Sequence, residues 1–435
     1  MENKKQQSKI FYGWIIVIGC MLIQAVPYAL AANIQSSFTS YVTEAEGFTY
    51  TQFSLIFTIG TVVSALCAPF IGKLFASPKA NVKLLYILGV ILVGVGFSSM
   101  SLAGGNIYAY YALSILVQIG SAIVSAIGVP TLINSWFTEN KGIAMGLAFS
   151  GGGIGNMILQ QFAGRWLTNP AIGYKGAYLR FGLLAIVVSL PVALFIMRFP
   201  KSKDELELNK PKKSRKNDSK EQNSNWGYSF AEVSKMKYFW IFALSFIFVG
   251  LYVGGMAVQF IPYFQTLEKA QLFTLGSALV ASAFGFFSIF GNLCGGVLFD
   301  KLGITKALLL AGLLVITSGL SLIFAGQINA LGFVFAIGLG VSMFSYVIGP
   351  AYMSGALFGN REFGTILGVV QIFFAIGFGS GSTIFGIIVD KSGFTTGWIS
   401  TIIYAVIAYA GLLYSTGKII KMNKINNVVE TKKIS

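Results

Sequence analysis

The chain contains no histidine and only three cysteines, Cys20, Cys67 and Cys294, each set in an apolar stretch. Without imidazoles or clustered thiols there is nothing from which to assemble a zinc site, a haem ligand pair or a disulfide framework. No metal and no cofactor are therefore expected. Charge is scarce too: 11% of the 435 residues are Asp, Glu, Lys or Arg, against 55% apolar. Soluble domains carry about 25% charged residues, so this composition belongs in a bilayer. A formal net charge of +16 would indicate nucleic acid in a soluble chain. Here the basic residues sit in short connections between apolar runs, which is a topology signal, and no nucleic-acid partner is expected. Paired intramembrane carboxylates, an H-E-x-x-H helix and a G-x-x-x-x-G-K-[ST] loop are also missing. Intramembrane hydrolysis and ATP-driven pumping are disfavoured on that ground, and the chain is not expected to be an enzyme.

What the chain has in abundance is long apolar runs. A helix needs about 20 apolar residues to cross the hydrocarbon core, and twelve runs meet that need, near 11–36, 50–75, 83–104, 107–136, 142–166, 176–198, 238–264, 272–299, 306–326, 329–358, 363–388 and 394–418. An all-α membrane protein with twelve transmembrane helices is the expectation. The first run follows Lys4, Lys5 and Lys9 but lacks a small-residue cleavage site, so it is read as a retained span. With both termini inside, 26 of the 31 basic residues fall in inner segments, and only Arg165, Lys175, Arg180, Lys269 and Lys391 fall outside. The positive-inside rule then makes both termini cytoplasmic, in a multi-pass protein of the cell membrane. Trp14, Tyr108, Tyr110, Tyr111, Trp136, Trp166, Trp240 and Trp398 lie near span ends, as an aromatic belt would.

Residues 199–236 are polar and charged and read as a cytoplasmic linker. The halves on either side repeat one another. Tyr12-Gly-Trp14 matches Tyr238-Phe-Trp240 at an offset of 226, and Gly72-Lys-Leu-Phe75 matches Gly296-Val-Leu-Phe299 at 224. Lys141-Gly-Ile-Ala-Met-Gly146 matches Phe363-Gly-Thr-Ile-Leu-Gly368, and Phe162-Ala-Gly164 matches Ile384-Phe-Gly386, both at 222. The expected organisation is a six-helix bundle over 1–198, the linker, and a second pseudo-symmetric six-helix bundle with a cytoplasmic tail over 237–435. Transporters that rock one half against the other around a midplane site have this plan.

The connection after the eighth run reads Gly296-Val-Leu-Phe-Asp300-Lys301-Leu-Gly303-Ile-Thr-Lys306. It resembles the G-x-L-x-D-[RK]-x-G-x-x-[RK] signature of the major facilitator superfamily, and the resemblance extends over essentially the whole chain. It implies a cytoplasmic gate in which the glycines permit close approach and a sharp turn and Asp300 accepts hydrogen bonds from a neighbouring helix N-terminus. The alternative is a turn whose charges merely mark the inner face. The first-half counterpart, Gly72 to Lys79, lacks the acidic residue. Trp136-Phe137-Thr-Glu-Asn-Lys141-Gly-Ile-Ala144-Met-Gly146-Leu-Ala148-Phe-Ser150-Gly151, with Tyr12-Gly13-Trp14, resembles signatures of the monocarboxylate porter and oxalate:formate antiporter group, although Asn140 stands where another basic residue is usual. Gly146, Ser150, Gly153 and Met157 share one helical face suited to a closely packed partner.

That resemblance implies a cavity lined by the first, fourth, seventh and tenth spans, and each carries polar groups at mid-depth. Gln24 and Tyr28 lie four apart on the first, with Gln35 further along. Gln118, Ser121 and Ser125 follow on the fourth, Tyr252 and Gln259 on the seventh, and Ser342, Ser345 and Tyr346 on the tenth. Gln24, Tyr28, Gln118, Tyr252, Ser345 and Tyr346 are the candidate substrate contacts. The alternative for each is a helix-to-helix hydrogen bond, worth about 0.6 kcal/mol in membranes. The group resembled uses a basic residue in a second-half span to neutralise a carboxylate, yet the eighth and eleventh spans are uncharged and 307–360 holds no Asp, Glu, Lys or Arg. A dianion is thereby disfavoured, as is proton symport through a side-chain carboxylate. The leading expectation is a secondary transporter of a small organic metabolite, a monocarboxylate-type acid moved by exchange or facilitated diffusion, acting as a monomer whose partners are that solute and the lipid bilayer. The alternatives are an efflux transporter for neutral or amphipathic compounds, and a non-transporting scaffold or receptor.

Overall fold

The computed structural model describes residues 11–76, 81–137, 141–200, 205, 227–359 and 361–434. The leader lysines, the first-half counterpart of the gate around Lys79, and most of the expected linker lie outside the described residues. Those described are helical almost throughout, with one isolated bridge between Gly227 and Gly359. We number the long helices α1 (Tyr12–Glu46), α2 (Tyr50–Ala76), α3 (Val82–Leu102), α4 (Ile107–Trp136), α5 (Lys141–Thr168), α6 (Gly173–Phe195), α7 (Lys237–Lys269), α8 (277–302), α9 (304–324), α10 (Leu331–Phe358), α11 (363–392) and α12 (394–434). The two sharpest breaks are at Gly303 (φ 72°) and Gly393 (φ 77°), a backbone region open chiefly to glycine.

Among the described residues ten segments are long and apolar enough to cross a membrane. The expected twelve exceed this number because the segment Thr365–Asn423 counts once despite its break at Gly393, and Gly-rich α5 is not among the ten. Helix α1 also runs ten residues beyond its expected end. Ser37, Thr39, Ser40 and Thr43 of this extension are buried, as are Gln35 and Ser36 just before it.

Glycines set the closest helix contacts, and these recur. A Cβ on Gly151 or Gly155 of α5 would lie 2.1 or 1.9 Å from the carbonyl oxygens of Met21 and Ala25 on α1. On Gly377 or Gly381 of α11 it would lie 2.0 or 2.6 Å from those of Ile247 and Leu251 on α7. All four pairs are related by an offset of 226, so the packing register in α5 and α11 differs by one helical turn from the offset of 222 read from sequence. Backbones approach this closely only where side chains are absent.

Buried apolar residues from Val233 to Ile419 form one core; those from Phe11 to Met197 form two, separated near Gln24 on α1 and between Val117 and Ala122 on α4. The aromatic-belt expectation fails for part of its set: Trp136, Trp398 and Tyr110 are fully buried. Trp136 packs against Phe11 and Tyr12 and Trp398 against Tyr263 and Phe385, so their large apolar surfaces fill cores instead of facing headgroups. Tyr108 and Trp240 do lie exposed.

Candidate functional site

Three of the helices expected to line a cavity are interrupted at mid-depth by π turns: Gln24–Tyr28 in α1, Ala122–Ile127 in α4 and Phe344–Ile348 in α10. Pro27 lies inside the first turn, and Pro130 and Pro350 follow closely after the other two. The ring of Pro27, Pro130 or Pro350 conflicts with the carbonyl four residues earlier, at Ile23, Ala126 or Tyr346, and the helix widens to accommodate it. The candidate residues Gln24, Tyr28, Ser345 and Tyr346 lie within two of these turns.

Gln24 is fully buried; its Oε1 accepts a hydrogen bond from Ser125 Oγ at 2.8 Å, and its Nε2 has no partner among the described residues. Tyr28 is half-buried, with its ring over Gly152, where a Cβ would sit 3.2 Å from Cε1. Tyr346 is buried and its hydroxyl likewise has no partner among the described residues. Behind Tyr346, the Tyr252 hydroxyl lies 3.0 Å from that of Tyr409, which lies 2.8 Å from Ser345 Oγ; Ser345 donates to the Ser342 carbonyl at 2.8 Å. The Tyr252 ring meets Tyr346 edge-on at 6.4 Å. Sequence reasoning missed Tyr409, which sits on α12.

Gln118 serves another purpose. Its Nε2 donates to the Ala31 carbonyl at 3.1 Å and its stem packs on Gly60. Arg165 and Arg180 are exposed, and Arg180 lies 5.6 Å from the Trp166 ring, in line with snorkelling toward the interface. Among the described residues no three His, Cys, Asp or Glu side chains gather as a metal site would require.

The helices before and after the linker are joined by polar contacts at the end of the bundle away from the termini. From α7, Gln265 Nε2 donates to the Ser37 carbonyl at 3.0 Å and its Oε1 accepts from Ser40. Gln259 Nε2 donates to Ser54 Oγ at 2.8 Å and Ser382 Oγ at 3.0 Å. Lys269 pairs with Glu44. Asp390 accepts from the Tyr50 and Thr51 amides at the start of α2 at 3.2 and 2.9 Å. Thr58 and Thr383 hydroxyls meet at 2.6 Å, and Asn156 Nδ2 donates to the Ala281 carbonyl at 3.0 Å, beside the close approach of Gly153 to Gly285. Thr58 also donates to the Gly379 carbonyl, one turn nearer the start of α11.

Toward the termini, Gly303 makes the expected turn, Gly296 lies inside α8, and Lys301 and Lys306 are exposed. Asp300 accepts from the Tyr352 hydroxyl of α10 at 2.7 Å, in place of the helix N-terminus anticipated from sequence. The two aromatic motifs converge here: Tyr12 and Trp136 flank the Arg198 guanidinium at 4.1 and 5.0 Å, and Trp136 Nε1 donates to the Arg198 carbonyl at 2.8 Å. Glu205 binds the same guanidinium and holds Arg198 above the usual arginine range.

A membrane-embedded helical bundle with a polar, uncharged layer at its middle and a seal at one end is the build of an alternating-access carrier. The chain belongs to the Major Facilitator Superfamily, whose family model matches residues 20–382, and it is a transporter of that superfamily. Monocarboxylate transporter 12 of Mus musculus is 24% identical over 96% of this chain and 87% of its own length. Riboflavin transporter RibJ of Trypanosoma brucei brucei is 27% identical over 44% of this chain and 35% of its own. A bacterial homologue of the human lysosomal transporter Spinster, solved inward-facing and occupied, shares the fold with a TM-score of 0.70 at 17% identity, covering 95% of this chain and 98% of that one.

Proposed function

We propose that the chain moves a monocarboxylate-type organic acid by alternating access, binding its oxygen atoms with Gln24 Nε2 and Tyr346 Oη. The observation that carries this reading is that two of the buried donors without partners among the described residues lie at the mid-depth π turns of α1 and α10, one from each half of the chain. Each unmet donor costs about 1–3 kcal/mol, and an oxygen acceptor between them recovers that cost. Tyr28, Tyr252 and Ser345 complete the wall, while Asp300, Lys301 and Lys306 with Gly296 and Gly303 form a gate on the cytoplasmic side. The reading takes twelve crossings, bundles over 1–198 and 237–435, cytoplasmic termini, a plasma-membrane location and a monomer. On that topology the observed seal is extracellular and the conformation opens inward.

A second reading, export of a neutral or amphipathic compound, draws support from the sequence: 10–43, 84–138, 238–267 and 307–360, which contain α1 up to Thr43 and all of α4 and α10, and α7 from Tyr238 to Leu267, hold no Asp, Glu, Lys or Arg. Proteoliposome counterflow with labelled monocarboxylates, dicarboxylates and neutral amphiphiles separates the two. Monocarboxylate exchange is expected; exchange restricted to neutral compounds overturns the leading reading.

A further inference from the structure

We propose that a monovalent cation of sodium's size binds between α1, α2 and α4 and lends the solute layer the positive charge its helices lack. The inference rests on the carboxylate reading above for the solute and adds a coupling ion. A small cavity of about 10 Å³, room for one water-sized particle, lies among Gln35 of α1, Ile56 of α2, Met100 of α3, and Ser114 and Gln118 of α4. Gln35 is 3% exposed, and its Oε1 has no partner among the described residues. Its Nε2 is turned to the Met100 sulfur at 3.6 Å; the reverse orientation would set an oxygen against that sulfur. Ser114 gives its hydroxyl proton to the carbonyls of Tyr111 and Ile56, at 2.8 and 3.2 Å, and Gln118 Nε2 donates to that of Ala31 at 3.1 Å. These donors are spent on protein groups, so the wall offers an occupant chiefly oxygen. A water there would give its protons but find little to donate to its own oxygen, whereas a cation takes oxygens alone. Neutral carbonyl oxygens suffice for a monovalent ion, and irregular helix backbone supplies them in membrane carriers. Helix α1 is irregular here, running as a 3-10 turn over Ile34–Phe38. Gln118 lies seven residues from Ser125, the partner of Gln24, which sets the cation about 10 Å along α4 from the proposed carboxylate position. Opposite charges at that separation raise one another's affinity about tenfold at the effective dielectric of a protein.

The test measures binding of radiolabelled sodium to the full-length protein in lipid vesicles, with choline holding the ionic strength constant. Saturable binding is expected. Gln35→Leu and Ser114→Ala should each weaken it about tenfold, the worth of one oxygen contact to a charge. Gln35→Glu, which keeps the oxygens and adds a negative charge, should tighten it, a gain that a misfolded protein cannot give. Propionate should raise sodium affinity about tenfold and sodium should raise that of propionate by the same factor, while propionamide, alike in shape but uncharged, should do neither. Absence of saturable sodium binding, or binding that all three substitutions leave unchanged, overturns the inference. Sodium binding that responds to the substitutions but not to propionate upholds the cation site and retires the carboxylate reading together with its coupling.

Discussion

At the scale of single residues, a bond already made inside the protein and a bond held for a solute differ in their response to removal. Ser125→Ala takes away the donor to Gln24 Oε1 and should lower stability by about 0.6 kcal/mol, as an average membrane hydrogen bond would. Tyr346→Phe removes a hydroxyl with no partner among the described residues. Thermal unfolding should therefore show no loss, while solute affinity falls about tenfold, close to the worth of one hydrogen bond. Loss of stability in Tyr346→Phe with unchanged affinity would assign the hydroxyl a structural role. Gln24, Tyr252 and Tyr346 were legible in sequence because polar groups in apolar runs must face something other than lipid. Gln118 was equally conspicuous yet serves a helix contact, since composition does not say which neighbour a side chain meets. Tyr409 was not legible: its partners, Tyr252 and Ser345, lie 157 and 64 residues away.

At the scale of helices, two kinds of residue act on the backbone. Pro27, Pro130 and Pro350 accompany the π turns, whereas Pro262 of α7 and Pro191 of α6 sit in helices without one, so a proline in an apolar run does not by itself mark where a helix widens. Pro350→Ala removes the conflict with the Tyr346 carbonyl, so α10 should regularise. Stability is then expected to rise by up to about 3 kcal/mol of helix preference, seen as a higher unfolding temperature, while exchange slows because Tyr346 and Ser345 rotate away from the layer. Unchanged exchange would show that the turn does not orient them. Glycine acts through what it lacks. Gly155→Val brings side-chain atoms against the Ala25 carbonyl and should cost about 1–3 kcal/mol or abolish folding, whereas Gly368→Ala, with nothing within 4 Å, should be silent in size-exclusion and thermal assays. The pairing of Gly151 and Gly155 with Met21 and Ala25, and of Gly377 and Gly381 with Ile247 and Leu251, reveals the repeat more consistently than the short sequence matches do.

At the scale of the whole molecule, the seal is built from long-range contacts that must break in each cycle. Thr58→Cys with Thr383→Cys places two thiols where hydroxyls now meet at 2.6 Å; oxidation should stop exchange and reduction restore it. Continued exchange in the cross-linked protein would rule out separation of α2 from α11. Asp390→Asn weakens a charge-assisted contact with the start of α2, and cysteine labelling from the sealed side should become faster. The sequence by itself determined that this chain lives in a bilayer and is built from helices, because only internally bonded helices satisfy the backbone of such long apolar runs. It also determined that the middle of the lining helices is uncharged. The tertiary structure alone decided which polar groups bond to one another, which stay unmet, and which end of the bundle is shut. Those outcomes depend on pairings between residues on different helices, such as Tyr252 with Tyr409 and Asp300 with Tyr352, and a hydrogen bond between distant helices is fixed by three-dimensional proximity that no local pattern encodes.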